Sequence, residues 1–257
     1  MPIGVLSRLS NSLSQGGNCV TNLRGFVQPQ LAGEPLDYVK PTRRFSFDGA
    51  LSSISTEAED GPWANTIQRA FYSTDSEGSA ELRYGDFPIS QSTSGTILFR
   101  MYIQTWDDPL LIPAVQTVFQ NGTSGVDGYG IKLTYTEVGI ETFEWDLYFC
   151  RLTDSLQTAW IKLNTSGPLV ENTWYQFSVR FVRRTIMNPR PTLVSTVVAY
   201  QNGSFQVDQN LASLIIAPGD TEAPFWLGFY GRLTDMALLN VPLTDAQLAA
   251  YGTAPYI

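Results

Sequence analysis

The chain has no histidine. That removes Ser-His-Asp and Cys-His nucleophile schemes and every metal site that needs an imidazole. Only two cysteines occur, Cys19 and Cys150. They cannot build a structural zinc site, and they stand either as thiols or as one bridge, since sequence spacing does not fix their separation. No stretch approaches the roughly 18 apolar residues of a membrane span, so insertion into a bilayer is not expected. The opening Met1-Pro2-Ile3-Gly4-Val5-Leu6-Ser7-Arg8 lacks the charged start and continuous apolar core of a signal peptide. Charged residues are sparse, at 16%, and unevenly placed: residues 1–44 carry a net +3 and the remainder −11. The body therefore repels phosphate, and nucleic acid is not an expected partner.

What is abundant points to an all-β fold. Aromatic residues make up 12% of the 257 residues, with 21 glycines and 15 prolines. Large side chains between short, turn-separated strands are what two packed sheets require. No internal repeat is visible.

Residues 1–43 differ from the rest. Ser, Asn, Gln and Gly dominate, and Leu6, Leu9 and Leu13 are spaced for one face of a short helix. Gly16-Gly17 ends it, and Pro29, Pro35 and Pro41 favour extended chain. The segment reads as an N-terminal arm that orders against a partner subunit through Leu6, Leu9, Leu13 and Phe26, or else as a disordered leader.

The domain then spans residues 44–257. It opens with Arg44-Phe45-Ser46-Phe47-Asp48-Gly49. Gly95 to Trp106 is the clearest strand, with Ile97, Phe99, Met101 and Ile103 on one face. Val115 to Gln120, Tyr129 to Thr136, Glu144 to Leu152 and Thr158 to Leu163 follow. In Asn172 to Arg184, residues Tyr175, Phe177, Val179 and Phe181 share a face, and Arg183 to Pro191 reads as a basic, Pro-containing loop. Asn202-Gly203 is a strong hairpin turn. The triplets at Asn121, Asn164 and Asn202 are formal glycosylation sequences read here as turns. Near the end, Met236 and Leu238 fall on one face of a strand. Thr244 and Gln247 form a T-x-x-Q capping box, Leu243 and Leu248 occupy the staple positions, and Gly252 suits a left-handed C-cap.

Gly231, Leu233, Asp235, Met236, Leu238, Asn240, Leu243 and Thr244 follow in order the closing pattern of laminin-G-like domains of the concanavalin A-like lectin/glucanase superfamily. There a G-x-I-D-D-V-x-I-Y-N-x-x-L-S strand runs into a short helix. The Phe47-Asp48-Gly49 opening, the Gly128-Tyr129-Gly130-Ile131 hairpin, Trp174-Tyr175 and the Val-Asn-Gly-like turn at Asn202-Gly203 resemble the same family in sequence order. Gln176 stands where the family usually has histidine. The resemblance implies an all-β, two-sheet antiparallel jelly-roll sandwich with an extended N-terminal arm and a short C-terminal helix.

Three kinds of site are then worth weighing. Glycanases of this superfamily use paired carboxylates on one strand face. Glu141, Glu144 and Asp146 give neither the E-x-D-x-E nor the E-x-D-x-x-E spacing of such pairs, although Glu144 and Asp146 share a face, so no catalytic residue is assigned. Calcium needs six to eight oxygens. The Asn121–Asp127 loop, with Asp107 and Asp108 nearby, offers several but no diagnostic acidic spacing, so no metal or other cofactor is expected and calcium is the one left open. Sugar binding needs an aromatic face with hydroxyl partners, which Trp63, Trp106, Asn121, Asp127 and Tyr129 would supply from loops.

The first reading is a non-enzymatic structural protein of an assembly, a virus or phage virion component such as a capsid decoration or tail-associated protein. Its arm would tie it to other subunits, as a homo-oligomer at the virion surface. The alternative is a glycan-binding adhesin or lectin, on a particle or otherwise extracellular. A glycoside hydrolase of the same fold is third.

Overall fold

The computed structural model describes residues 23–28, 36–37, 45–48, 52–54, 71–73, 81–85, 94–104, 114–122, 128–139, 142–151, 160–187, 189–212, 222–226, 231–239 and 241–251. The helix drawn through Leu6, Leu9 and Leu13 lies outside them.

Every pairing between the described strands is antiparallel. The larger sheet runs Ser204–Ala212 (β14), Pro191–Gln201 (β13), Trp174–Met187 (β12), Ser94–Ile103 (β7), Gly231–Leu239 (β16), Leu23–Gln28 (β1) and Leu36–Asp37 (β2). Phe71–Ser73 (β5) also pairs with β16 and carries Ser52–Ile54 (β4). The smaller sheet runs Ile161–Lys162 (β11), Thr142–Arg151 (β10), Gly128–Gly139 (β9) and Val115–Gly122 (β8). A three-stranded ribbon, Glu222–Trp226 (β15), Glu81–Gly85 (β6) and Phe45–Asp48 (β3), lies with β15 against β8 and continues that layer. The result is the expected all-β sandwich, closed, among the described residues, by one short helix, Asp245–Tyr251 (α1).

Alternation builds the core. Ile97, Phe99, Met101 and Ile103 on β7 and Phe177, Val179 and Phe181 on β12 are buried, and they face Ile131, Leu133, Trp145, Leu147 and Phe149 of the smaller sheet. Phe99 and Phe177 stack with centroids 5.5 Å apart. Gly95 sits where β16 and Phe181 close in: a Cβ there would lie 2.8 Å from the Leu239 carbonyl oxygen.

The outer face of the larger sheet is also covered. Leu98, Val198, Ala237 and Leu239 form a second core with Leu243, Leu248 and Tyr251 of the closing segment. The capping box forms as predicted: Thr244 N–H donates to Gln247 Oε1 at 2.9 Å, and Gln247 N–H to Thr244 Oγ1 at 3.3 Å. Leu243 and Leu248 pack in the same cluster, as their staple positions anticipate. Sheet side chains hold the helix and the segment leading into it by their carbonyls. Ser178 Oγ donates to Leu248 O at 3.0 Å, Arg180 Nη1 to Leu243 O at 2.7 Å, and the Gln176 amide, at the family's histidine position, to Tyr251 O. Arg100, fully buried, lies with its guanidinium 5.9 Å from the Tyr251 ring centroid.

Two elements differ from their sequence reading. Arg183 to Pro191 is not a loop: β12 continues to Met187 and pairs with β13 down to Met187↔Pro191. Cross-strand pairing with the β-branched Thr192, Val194 and Thr196 carries the strand on where the basic residues suggested a turn. Inside residues 1–43, Leu23–Gln28 pairs with β16 and Leu36–Asp37 with β1, so these two stretches are sheet. The Asn202-Gly203 turn is as expected, both residues having positive φ (49° and 79°), which is the two-residue hairpin geometry.

Candidate functional site

Trp145, Leu147 and Phe149 of β10 point into the core. Their neighbours Glu144, Asp146 and Tyr148 therefore share the outward face of the smaller sheet. Cross-strand register sets a row of four side chains on it: Thr117, Lys132, Tyr148 and Lys162, one from each of β8, β9, β10 and β11. The next row holds Val115, Thr134 and Asp146.

Tyr148 and Trp160 are both half-buried, their ring centroids 5.8 Å apart and inclined at 54°. Beside them Lys162 Nζ meets Asp146 Oδ1 at 2.6 Å. Asn164 Nδ2 donates to the same oxygen at 3.0 Å, and the Tyr148 hydroxyl donates to Asp146 Oδ2 at 3.4 Å. On the other flank Lys132 Nζ donates to Thr117 Oγ1 at 2.6 Å. Asn164 is the support. It is fully buried, accepts from Leu147 N–H at 2.8 Å, and donates to Gly167 O at 2.9 Å and Trp145 O at 3.3 Å. The formal glycosylation asparagine is thus a structural amide.

Burial lowers the Lys132 pKa from its ordinary value, with a smaller opposing effect from Cys150. Burial raises that of Tyr148, helped by the Asp146 charge and opposed by Lys162. The Tyr148 hydroxyl is therefore a neutral donor at physiological pH. Cys150 is buried as a thiol, its Sγ–H directed at Gly130 O, 3.6 Å away.

The face combines two mutually inclined aromatic rings with an acceptor carboxylate and two donor ammonium groups. That set matches a pyranose or furanose, whose C–H face stacks on rings while its hydroxyls both donate and accept. Glu144 is exposed and lies two residues from Asp146 on the same face, whereas both Asp146 oxygens are already engaged.

Of the residues singled out from sequence, Tyr129 is a correction. It is fully buried, its ring 4.9 Å from that of Phe181, 5.6 Å from Phe149 and 5.9 Å from Phe119, so it belongs to the core and offers no sugar a face. Asn121 is placed by its backbone only, paired with Tyr129 between β8 and β9. Trp63, Trp106, Asp107, Asp108 and Asp127 lie outside the described residues, as does the side chain of Phe26. The sequence reading missed Tyr148, Trp160, Lys132 and Lys162. The one signal in the sequence was the scarcity of lysine, three in the whole chain (Lys40, Lys132 and Lys162); that two of them flank Tyr148 is set by strand register.

No protein-family model matches the chain, and no curated protein matches it. Solved structures do. Domain 4 of AbnA, a GH43 extracellular arabinanase from Geobacillus stearothermophilus solved with arabinotriose, is similar over 90% of this chain and 98% of its own, with a TM-score of 0.57 and 13% identity. The receptor binding domain of botulinum neurotoxin C/D mosaic serotype is similar over 90% of this chain, with a TM-score of 0.53 and 11% identity. A botulinum neurotoxin type C structure, described as depending on two ganglioside molecules for cell entry, is similar over 90% of this chain, with a TM-score of 0.51 and 11% identity. The chain covers 51% of each toxin domain's length. At such identities the likeness shows a shared β-sandwich fold, and the chain is an all-β sandwich of that architecture.

Proposed function

We propose that this chain is a non-catalytic, glycan-binding β-sandwich of the laminin-G-like kind, and that its sugar site is the outward face of the smaller sheet. The carrying observation is the Tyr148–Trp160 pair set beside the Lys162–Asp146 ion pair. Trp160 and Tyr148 stack on the sugar, Asp146 accepts from hydroxyls through its remaining lone pairs, and Lys162 and Lys132 donate to ring or hydroxyl oxygens. The similar structures include one solved with arabinotriose and one described through gangliosides, and this favours glycan recognition over the virion role read from residues 1–43. On this reading the protein meets its partner outside the cell or on a particle surface.

The test is a glycan array followed by calorimetry on the best hit. Trp160→Ala is expected to weaken that hit by about 2 kcal/mol, roughly 30-fold, with an unchanged melting profile. An array without hits, or a hit that Trp160→Ala binds equally well, overturns the proposal.

A further inference from the structure

On the opposite side of the sandwich a cavity of about 320 Å³ opens between the larger sheet and the segment leading into α1. Arg180, Val182 and Arg184 alternate along β12 and share its outward face. Val198 stands across from Arg180, Thr196 across from Val182, and Asp208 beyond Val198 on β14. Pro242, Leu243 and Thr244 form the far wall.

The two arginines play different parts. Arg180 is fixed: Nη1 donates to Leu243 O at 2.7 Å and Nη2 meets Asp245 Oδ1 at 2.8 Å, so its charge is matched within the fold. Arg184 is exposed, and its Nη2 reaches Asn210 Oδ1 at 3.4 Å, the long end of hydrogen bonding. That amide oxygen already accepts from Thr196 Oγ1 at 2.8 Å. The Arg184 fork is thus weakly held beside an apolar floor, with the exposed carboxylate of Asp208 on the same rim.

We infer that this pocket is a second binding site, for a carboxylate-bearing monosaccharide of the uronic acid type, held through Arg184. The guanidinium takes the carboxylate in two parallel hydrogen bonds. Val182 and Pro242 receive the C–H face of the ring, and Asp208 accepts from its hydroxyls. The volume is at the lower end for a ligand pocket and suits one sugar ring rather than a chain. With Arg180 matched by Asp245, Arg184 is the guanidinium left for a carboxylate, and the Asp208 charge opposes any second negative group. This inference is independent of the Tyr148 face.

The experiment is NMR titration of the full chain with methyl glucuronide, methyl glucoside and acetate. Saturable shifts at the Val182, Val198 and Asp208 amides are expected with the glucuronide. The glucoside and acetate each bind more weakly, since each keeps half of the contacts. Arg184→Gln is expected to cost about tenfold or more in glucuronide affinity, and Arg184→Lys, which keeps the charge and loses the fork, an intermediate amount. Trp160→Ala leaves glucuronide binding unchanged, which separates this site from the one on the smaller sheet. No saturable shift at those amides, equal binding by Arg184→Gln, acetate as tight as the glucuronide, or loss of glucuronide binding in Trp160→Ala would each overturn the inference.

Discussion

The two sheets are alike on their inner faces and opposite on their outer ones. Between them, both supply aliphatic and aromatic residues, in alternation broken on β8 where Val118 and Phe119 both enter the core at a register shift. Outside, the larger sheet carries a lid. Its polar residues Thr96, Ser178, Gln176 and Arg180 turn to main-chain oxygens of the closing segment, and Arg100 lies beneath Tyr251. The smaller sheet carries lysines, an aspartate and two rings instead, and these bond chiefly among themselves. The difference teaches what polar residues on a strand face are for. Where a backbone segment docks on them, they satisfy its carbonyls and stabilise the fold. Where none of the described segments does, the same kinds of residue form a surface suited to a hydroxylated ligand.

The sharpest way to break this contrast is to unseat the lid. Leu248, fully buried on the sheet-facing side of α1, replaced by Ala is expected to cost about 3 kcal/mol of stability, read as a lowered urea midpoint. Sugar affinity of the smaller sheet should stay unchanged at temperatures where the variant is folded. Loss of affinity in the folded variant would mean that the two faces are coupled.

A smaller and mixed effect is expected from Asn164→Ala. It strands the Leu147 N–H, takes a donor from the Gly167 carbonyl, and removes one of the donors that hold Asp146, while the Trp145 carbonyl keeps the Leu169 N–H at 2.7 Å. About 2 kcal/mol of stability should be lost, and sugar affinity should fall with it. A variant that loses stability but binds normally would show that Asp146 needs no positioning.

The smallest effect concerns pH. The Tyr148 pKa is raised above its ordinary 10.0, chiefly by burial. Its contribution to stability is therefore full below pH 10 and lost as pH rises through the folded value, because the unfolded chain ionises first. Urea denaturation of wild type and Tyr148→Phe across pH 8 to 11 should show wild type losing ground above about pH 10. Parallel curves would mean that Tyr148 is as solvated folded as unfolded.

Much of the fold was legible because its signals are local. Alternation over Ile97–Ile103 and Tyr175–Phe181 marks buried strand faces, Asn202-Gly203 fixes a hairpin, and Thr244-x-x-Gln247 starts a helix, each within a few residues. The candidate site was less legible. Tyr129 looked like a loop aromatic because it follows a polar glycine-rich stretch, and only packing against Phe119, Phe149 and Phe181 reveals it as core. Glu144 and Asp146 were seen to share a face, but which face depended on where the other sheet lies. The Arg183–Pro191 stretch looked like a loop because pairing across the hairpin, not propensity, extends β12.

The sequence by itself determined an all-β chain with a capped C-terminal helix, since period, turn chemistry and capping are short-range properties of the backbone. Tertiary structure alone decided which face of each sheet is covered and which residues meet on the other. Thr117, Lys132, Tyr148 and Lys162 lie up to 45 positions apart along the chain and become neighbours only through strand register, and register is set by the burial of the opposite face.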